Sequence, residues 1–315
     1  MKASRYMDIN RIEFIVTYRC SGQCKHCSLG DKLNYADGFN CISARRAAAI
    51  VEEISQIFSV ASVMTFGGEP MLYADTVYTI HETAERYGIG TRQLITNGHF
   101  TNVDEQRKQA AKSLKQAGVN NLLLSVDAFH QETIPIEGVY AFARYAKASG
   151  VPNIRLQPAW VVDEHNDNPF NKKTKEILRR FEDLDIAVAK GNNIFMAGNA
   201  VTHLAQYYDK PTLDMADSCG SMPYTEPLTG ITSLSIVPNG NVMICGFVIG
   251  NIYRQSMEEI VSQYDPYQNE WMRAIIVGGA SALLDLSRQK GLAVNTSLCY
   301  SVCDLCHRIN SSLSI

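Results

Sequence analysis

Short β-rich runs alternate with helical segments through the first two hundred residues of this 315-residue chain. Three of the four helical segments stop just before a glycine, which commonly ends helices, and a strand-like run follows each of the four within a few residues. Repeated βα units pack as a parallel sheet, open or closed into a barrel, and six strands are too few for the eight-stranded barrel. The predicted strands are 12–16, 62–66, 93–96 and 122–126, with weaker candidates at 154–156 and 194–196; the predicted helices are 43–58, 75–87, 104–117 and 137–149.

The alternation ends near residue 200. Residues 234–237 and 242–245 read as a β-hairpin, because the intervening Asn239-Gly240 suits a tight turn. A helical stretch follows over 269–290, where Gly278-Gly279 predicts a break, and the chain closes on a cysteine-rich tail. We therefore predict an α/β domain over 1–200 and a small α+β domain over 201–315.

Composition excludes several classes of protein. The formal net charge is −3, which does not suit a nucleic-acid or anionic membrane partner. No apolar run approaches the roughly 18 residues that span a bilayer, and the first ten residues lack the apolar core of a signal peptide. These features predict a cytoplasmic protein without a nucleic-acid or membrane partner.

Nine cysteines are present, and none lies between residues 41 and 219. An odd number without an export signal argues against a disulfide framework. Clustered thiols in a reducing compartment more often hold metal or carry out redox chemistry.

Cys20, Cys24 and Cys27 form a C-x3-C-x2-C triplet directly after the first predicted strand. The spacing also suits a buried stripe on one helical face, but Ser21-Gly22 lies inside the triplet and glycine is a poor helix former. Cysteine thiolate is the usual protein ligand of a 4Fe–4S cluster. Three thiolates leave one of the four irons open to a cofactor or substrate.

The triplet resembles the signature loop of the radical S-adenosylmethionine (SAM) superfamily, with His26 where an aromatic residue is usual. The resemblance continues at the ends of the next three strands and implies a partial (β/α)6 TIM-type barrel over roughly residues 10–200. There, Gly67-Gly68-Glu69-Pro70 resembles the motif that binds the methionine amino group of SAM, Thr96-Asn97-Gly98 is frequent in the family, and Ser125 and Asp127 stand where the ribose and carboxylate of SAM are held.

The resemblance also implies the chemistry. A reduced cluster on the three thiolates splits SAM, and the 5′-deoxyadenosyl radical abstracts a substrate hydrogen. The electron comes from an external one-electron donor of the flavodoxin or ferredoxin type. Arg155, in the weak fifth strand, is expected to reach the SAM carboxylate or Asp127, or else to form an ordinary ion pair.

The C-terminal cysteines form a second group that suits either zinc or an iron–sulfur cluster. The tail resembles the twitch and SPASM auxiliary-cluster domains of radical SAM enzymes, and this resemblance implies one auxiliary 4Fe–4S cluster. We assign Cys219, Cys245, Cys303 and Cys306 to it. Cys299 is a ligand in place of Cys219, a free thiol facing the substrate, or a buried bystander. Cys41 is read as structural.

The segment Ser125-Val126-Asp127-Ala128-Phe129-His130 resembles that of enzymes that epimerise ribosomally made peptides. Those enzymes use a thiol beside the hairpin cysteine as hydrogen donor, whereas Gly246 follows Cys245 in this chain. Cys299 is a candidate replacement, and His130 is a candidate contact to the substrate or an acid–base group.

The preferred function is therefore radical modification of a ribosomally made peptide, by epimerisation or by formation of a thioether or carbon–carbon bond. No leader-binding module is expected before residue 10, so a peptide substrate needs a partner protein or a groove in the barrel. Alternatives are a radical dehydrogenase acting on a small alcohol and, in another class, a non-catalytic iron–sulfur electron carrier or a zinc-binding protein.

Overall fold

The computed structural model describes residues 3–34, 38–222 and 225–313. Its core is a nine-stranded sheet with helices against one face, and a separate two-stranded ladder joins β6 to β8. The strands are β1 Met7–Ile15, β2 Ser62–Phe66, β3 Thr91–Thr96, β4 Asn121–Ser125, β5 Ile154–Gln157, β6 Ala159–Trp160, β7 Ala187–Val188, β8 Asn192–Asn193, β9 Ile231–Ile236, β10 Asn241–Ile244 and β11 Phe247–Asn251. The α-helices are α1 Ala44–Ile57, α2 Ala74–Arg86, α3 Asp104–Gln116, α4 Ile136–Ala148, α5 Pro169–Arg179, α6 Asn199–His203, α7 Met257–Gln263, α8 Glu270–Gln289 and α9 Val302–Leu313.

The sheet has the strand order β11-β10-β9-β1-β2-β3-β4-β5-β7. Every pair from β9 to β7 is parallel, and β9, β10 and β11 pair in antiparallel fashion. Strands β1 to β4 alternate with α1 to α4 as the sequence predicted, and Ser43 caps α1 by accepting a hydrogen bond from the Arg46 N–H at 3.5 Å. The parallel strands therefore present their carboxyl ends at one edge, as the predicted partial barrel requires.

The two faces of the sheet differ in exposure. Ile12, Phe14 and Leu122 are fully buried against the helices. The alternate side chains, such as Glu13 and Gln93, point to the opposite face and stay half-buried. We call this second face the inner face of the barrel.

One predicted strand was wrong. Residues 194–196 are not a strand: the ladder covers Asn192–Asn193 and is followed by one hydrogen bond, from the Ile194 N–H to the Trp160 carbonyl at 2.9 Å. Ile194 and Met196 are instead buried in a small apolar cluster around Cys24. The hydrophobic run marked side-chain packing and not a pleated strand. Helix α5 was not predicted.

The C-terminal hairpin is attached to the barrel sheet. Strands β9 and β10 match the predicted hairpin, and β9 pairs in parallel with β1, so that the hairpin continues the nine-stranded sheet. The division at residue 200 stays a prediction. In α8 the expected break is present, with Gly279 in a non-helical conformation. Among the described residues, no helix is long and apolar enough to cross a membrane.

Candidate active site

The cysteine triplet lies on the loop that leaves β1 at the carboxyl edge of the sheet. Its backbone is held from three sides: the Cys20 N–H donates to the Asn34 side chain at 3.1 Å, the Gln23 N–H donates to Thr133 Oγ1 at 3.2 Å, and the Asn199 N–H donates to the Cys27 carbonyl at 3.0 Å. The loop is therefore fixed by residues distant in sequence.

The glycine pair after β2 lies directly against this loop. The Gly68 N–H donates to the Thr17 carbonyl at 2.8 Å, and the Glu69 N–H donates to the Arg19 carbonyl at 2.7 Å. A Cβ atom on Gly68 would lie 2.1 Å from the Arg19 carbonyl oxygen, and one on Gly67 would lie 2.5 Å from that of Thr17. Glycine is required here because two backbones touch.

Glu69 lies fully buried below this contact. Its carboxylate accepts hydrogen bonds from Thr96 Oγ1 at 2.6 Å, the Asn97 N–H at 2.7 Å and the Met71 N–H at 2.9 Å. Burial raises the pKa of Glu69 from 4.5 to about 7 despite these bonds. The side chain therefore joins the turn after β2 to the turn after β3, while Pro70 begins a short 3₁₀ turn beside it.

Asp127, two residues beyond the end of β4, is likewise fully buried. Its carboxylate accepts hydrogen bonds from the Phe129 and His130 N–H groups at 2.9 Å and lies 2.8 Å from His130 Nδ1. Burial would raise the pKa of Asp127, but His130 holds it at about 2. Burial would also lower the pKa of His130, but Asp127 and Cys24 raise it well above its usual value. The two side chains form a buried ion pair.

This ion pair stands next to the triplet. Side-chain atoms of Cys24, His26 and His130 all lie within 4.8 Å of one another, and the His26 ring is 5.0 Å from those of Phe129 and His130. Burial lowers the pKa of His26 to about 4. No sequence motif predicted that His26 and His130 would both lie beside Cys24.

The other proposed cofactor contacts lie at different depths of the barrel. Ser125 ends β4 at the carboxyl edge and is half-buried, so its side chain is accessible there. Arg155 does not contact Asp127: its guanidinium donates to Asn121 Oδ1 at 2.7 Å, on the side of the sheet away from that edge. Asn97, the middle residue of the Thr96-Asn97-Gly98 motif, donates to Ser21 Oγ at 3.2 Å and to Cys20 Sγ at 3.5 Å.

The donor set of the triplet fits a 4Fe–4S cluster with one open iron. Burial raises the pKa of Cys20 to about 11 and also raises that of Cys27, and the proximity of Cys24 adds to both shifts. The three thiols are thus close together on one loop, and cluster assembly must release the protons of Cys20 and Cys27.

The four C-terminal thiols assigned to an auxiliary cluster also meet. Cys219 and Cys245 are hydrogen-bonded to each other, and both lie close enough to Cys303 and Cys306 for their charges to interact. The Cys245 bond lowers the pKa of Cys219 to about 7. Cys245 occupies the turn between β10 and β11 with a positive φ of 52°, and α9 carries Cys303 and Cys306. Four converging thiols fit a fully ligated cluster.

The remaining two cysteines lie outside both groups. Cys299 is 1% exposed, packs in the main hydrophobic core and directs its Sγ toward the Asn295 carbonyl at 3.8 Å. Asp304, Arg308 and Lys210 are the charged groups that act on it. Cys41 is half-buried near Thr76, just before α1. These surroundings are those of structural cysteines.

Comparison with known proteins agrees with this geometry. A family model described as the radical SAM superfamily matches residues 14–172, and one described as an iron–sulfur cluster-binding domain, SPASM, matches residues 229–307. The first match contains the triplet and the turns after β2 and β4. The second contains Cys245, Cys303 and Cys306.

Similar curated proteins carry the name GTP 3′,8-cyclase. The one from Limosilactobacillus fermentum is 29% identical over 121 residues, which are 38% of this chain and 34% of that protein. The one from Listeria monocytogenes is 24% identical over 238 residues, 73% of this chain and 67% of that protein. The chain thus spans about a third of the length of the first of these relatives. Among solved structures, coproporphyrinogen III oxidase from Escherichia coli is 14% identical, with 65% of this chain and 48% of that chain covered and a TM-score of 0.41.

Two family matches, the three-thiol loop and the four-thiol group identify the cofactors as SAM, a 4Fe–4S cluster and an auxiliary iron–sulfur cluster. When bound, the first cluster and SAM supply the electron transfer that produces a 5′-deoxyadenosyl radical, and an external reductant restores the electron. The chain belongs to the radical SAM superfamily, whose enzymes cleave SAM reductively.

Proposed function

We propose that this enzyme oxidises a ribosomally made peptide, closing a thioether or carbon–carbon bond in it. For a thioether, the substrate loses two hydrogens. One leaves as an atom from carbon to the 5′-deoxyadenosyl radical, and the other leaves as a proton from the thiol. The carbon radical and the sulfur then form the bond, and the remaining electron passes to the oxidised auxiliary cluster and back to the external reductant.

The convergence of Cys219, Cys245, Cys303 and Cys306 carries this proposal. Four thiolates complete the ligand set of a 4Fe–4S cluster and leave no open iron. A cluster of this kind suits the transfer of an electron and not the binding of a substrate. Reactions that need an electron acceptor, namely cross-linking and dehydrogenation, are therefore favoured over redox-neutral epimerisation.

The position of Cys299 also favours cross-linking and dehydrogenation over epimerisation. Epimerisation needs a thiol that returns a hydrogen atom to the substrate radical, but Cys299 is buried in the main hydrophobic core, and Gly246 follows Cys245. The segment from Ser125 to His130, with its Asp127–His130 ion pair beside Cys24, is the feature that favours a peptide over a small alcohol.

A second candidate comes from the relatives. They are named GTP 3′,8-cyclases, and a nucleotide substrate is consistent with the arginines on the inner face of this barrel. A small-molecule alcohol, oxidised by the same electron route, is a third. Nine free thiols and a need for reductant fit the cytoplasm, with a flavodoxin- or ferredoxin-type protein as electron donor.

The test uses enzyme reconstituted without oxygen and supplied with SAM and dithionite. It is incubated in parallel with GTP and with cysteine-containing peptides encoded beside its gene, and 5′-deoxyadenosine and product mass are measured. The proposal expects a peptide lighter by two hydrogens. A product of unchanged mass that gains one deuterium in D₂O would show epimerisation, and turnover of GTP alone would overturn the peptide assignment. A Cys24→Ala variant supplies the background, and Cys41→Ala is the matched cysteine control.

A further inference from the structure

A row of side chains, all of them polar except Met64, crosses the inner face of the sheet. Glu13 on β1 is paired in register with Ser235 on β9 and Met64 on β2; Met64 is paired with Gln93 on β3, which is paired with Asn121 on β4. The row therefore crosses five adjacent strands at one depth of the barrel. We call it, together with Arg11 and Arg155, the inner-face row.

Side-chain contacts link its members in order. Ser235 Oγ donates to Glu13 Oε2 at 3.1 Å, and Asn121 Nδ2 donates to Gln93 Oε1 at 3.0 Å. Gln93 Nε2 and Arg11 Nη2 both lie 3.2 Å from Met64 Sδ. A thioether sulfur is a weak acceptor. Two strong donors thus meet at an atom that satisfies them poorly.

Arg155 adds a third donor without a full set of partners. Its Nη2 donates to Asn121, while its Nε is buried and has no hydrogen-bond partner in the described part of the chain. In the sheet it is paired with Leu123, which is itself paired with Ile95, so that apolar side chains flank it toward the neighbouring strands. A guanidinium in these surroundings favours an oxyanion that accepts two hydrogen bonds from it, such as a carboxylate or a phosphate.

The net charge of the inner-face row also favours an anionic ligand. Arg11 and Arg155 are balanced only by Glu13, which lies 2.7 Å from Arg11 Nε, so the row has a formal charge of +1. Donors outnumber strong acceptors along it. Such a surface is complementary to a group that carries negative charge and accepts hydrogen bonds.

The depth of Arg155 in the barrel separates the anionic group that it would bind from the cofactor. Gln157 ends β5 opposite Ser125 at the carboxyl edge, and Arg155 lies two residues before it. At about 3.3 Å per residue, the Arg155 backbone is roughly 7 Å below that edge. A molecule whose reacting carbon lies at the edge, beside the triplet loop, would place a neighbouring group at this depth.

We propose that the inner-face row binds an oxyanion of the substrate, a carboxylate or a phosphate, through Arg155 with help from Arg11 and Gln93. This inference rests on the proposed function only in taking the substrate to enter the inner face. A carboxylate would belong to an acidic peptide and a phosphate to a nucleotide, and the row recognises the chemistry that they share.

Binding is measured by calorimetry on reconstituted, SAM-saturated enzyme without reductant, so that no turnover occurs. The probes are GTP and N-acetylglutamate amide, each with a neutral counterpart, guanosine and N-acetylglutamine amide. The variants are Arg155→Gln, Arg11→Gln and Arg155→Lys. Arg180→Gln, which removes an exposed arginine at the end of α5 that pairs with Glu137, is the matched control.

We expect at least one anionic probe to bind, its neutral counterpart to bind at least tenfold more weakly, and Arg155→Gln to raise Kd tenfold or more. Arg155→Lys should recover part of the loss, and Arg180→Gln should have no effect. Asn121→Asp, which keeps the arginine but neutralises its charge locally, should also weaken binding and covers the case in which Arg155→Gln does not fold.

Tighter binding of GTP identifies a phosphate, and tighter binding of the glutamate derivative identifies a carboxylate. The inference is overturned if neither anion binds, or if Arg155→Gln and Arg180→Gln behave alike. The calorimetry does not depend on turnover, so anion binding there, together with no peptide product in the assay with dithionite, would refute the peptide assignment alone. A cross-linked peptide with no effect of Arg155→Gln would refute this inference alone.

Discussion

The buried carboxylate of Glu69 accepts a hydrogen bond of 2.7 Å from the backbone N–H of Asn97, and this bond joins the second βα turn to the third. Asn97 in turn donates to Cys20 Sγ through its side chain. The glutamate of the glycine-rich motif thus acts on the triplet loop through Asn97, and its side-chain oxygens are used within the protein. Its role in the fold can be tested without SAM.

Replacement of Glu69 by Gln should change how stability depends on pH. The pKa of Glu69 is about 7 in the folded chain against 4.5 for the ordinary carboxyl. Its contribution to the free energy of unfolding is therefore fully present below about pH 4.5 and is lost as the pH rises through 7, by at most about 3 kcal/mol. Glutamine removes that loss but presents an amide where Asn97 needs an acceptor, at a cost of about 1 kcal/mol.

Urea unfolding of the apoprotein from pH 5 to 8 measures this difference. The Glu69→Gln variant should be the less stable protein at pH 5 and should lose this disadvantage, or reverse it, by pH 8. Glu105→Gln, at a side chain that is 76% exposed, should run parallel to the wild type. Parallel curves for Glu69→Gln would show that the carboxylate does not take up its proton on burial.

Replacement of Gly68 by Ala should displace the triplet loop. The new Cβ would lie 2.1 Å from the Arg19 carbonyl oxygen, and backbone cannot move aside as a side chain does. We expect a loss of about 2 kcal/mol or more in stability and poor iron uptake at the first site. Gly90→Ala is the control, because its Cβ would meet only the Ala61 carbonyl at 3.9 Å. Normal iron content in Gly68→Ala would contradict the contact.

Much of the barrel could be predicted because local signals agreed with one another there. Strand 62–66 was predicted residue for residue, and helices α1 to α4 lie within one residue of their predicted ends. In these units, apolar periodicity agrees with a second signal, which is the Ser43 cap of α1 or the glycine that follows α2, α3 and α4. Residues 194–196 failed because burial around Cys24 supplied an apolar run without a pleat.

The candidate site was predictable only in part. Spacing and order on the chain pointed to the triplet and to the glycine-rich turn. Partners such as Asn34, Thr133 and Asn199 carry no motif, because each is a single polar residue brought to the loop by the path of the chain. The inner-face row likewise depends on the register between strands, which cannot be deduced from the sequence of any one strand.

Replacement of Gly279 by Ala should weaken the support of Cys219. The break in α8 frees two N–H groups, and those of Ala280 and Ser281 donate to the Asp217 and Met215 carbonyls at 2.9 and 3.0 Å. Gly279 has φ 63° and ψ −157°, a conformation almost restricted to glycine, and a Cβ would lie 2.8 Å from the Ala216 carbonyl oxygen.

The expected cost of Gly279→Ala is about 2–4 kcal/mol, together with a loss of iron from the second site. Gly291→Ala separates backbone strain from steric contact, because Gly291 has φ 75° but no atom lies within 4 Å of its added Cβ. It should cost only about 1 kcal/mol and leave iron unchanged. Thermal unfolding of the apoproteins and iron analysis of the reconstituted proteins measure both effects. Equal behaviour of the two variants would mean that Gly279 does not hold the Cys219 segment.

Replacement of Cys303 or Cys299 by Ala distinguishes a cluster ligand from a core residue on neighbouring turns of the chain. Cys303 interacts with Cys219 inside the four-thiol group, whereas Cys299 is 1% exposed among apolar side chains and directs its sulfur to the Asn295 carbonyl. Loss of Cys303 leaves the second site with three thiolates and no SAM to occupy the open iron, so reconstituted protein should lose about four irons per chain. It should still cleave SAM, because the triplet is intact, but it should form little product, since the substrate electron has no acceptor.

Loss of Cys299 should keep all the iron and lower stability by about 1–3 kcal/mol, the cost of a small cavity. Full iron in Cys303→Ala, or loss of a whole cluster in Cys299→Ala, would transfer the ligand role from one cysteine to the other and reopen Cys299 as a participant in the reaction.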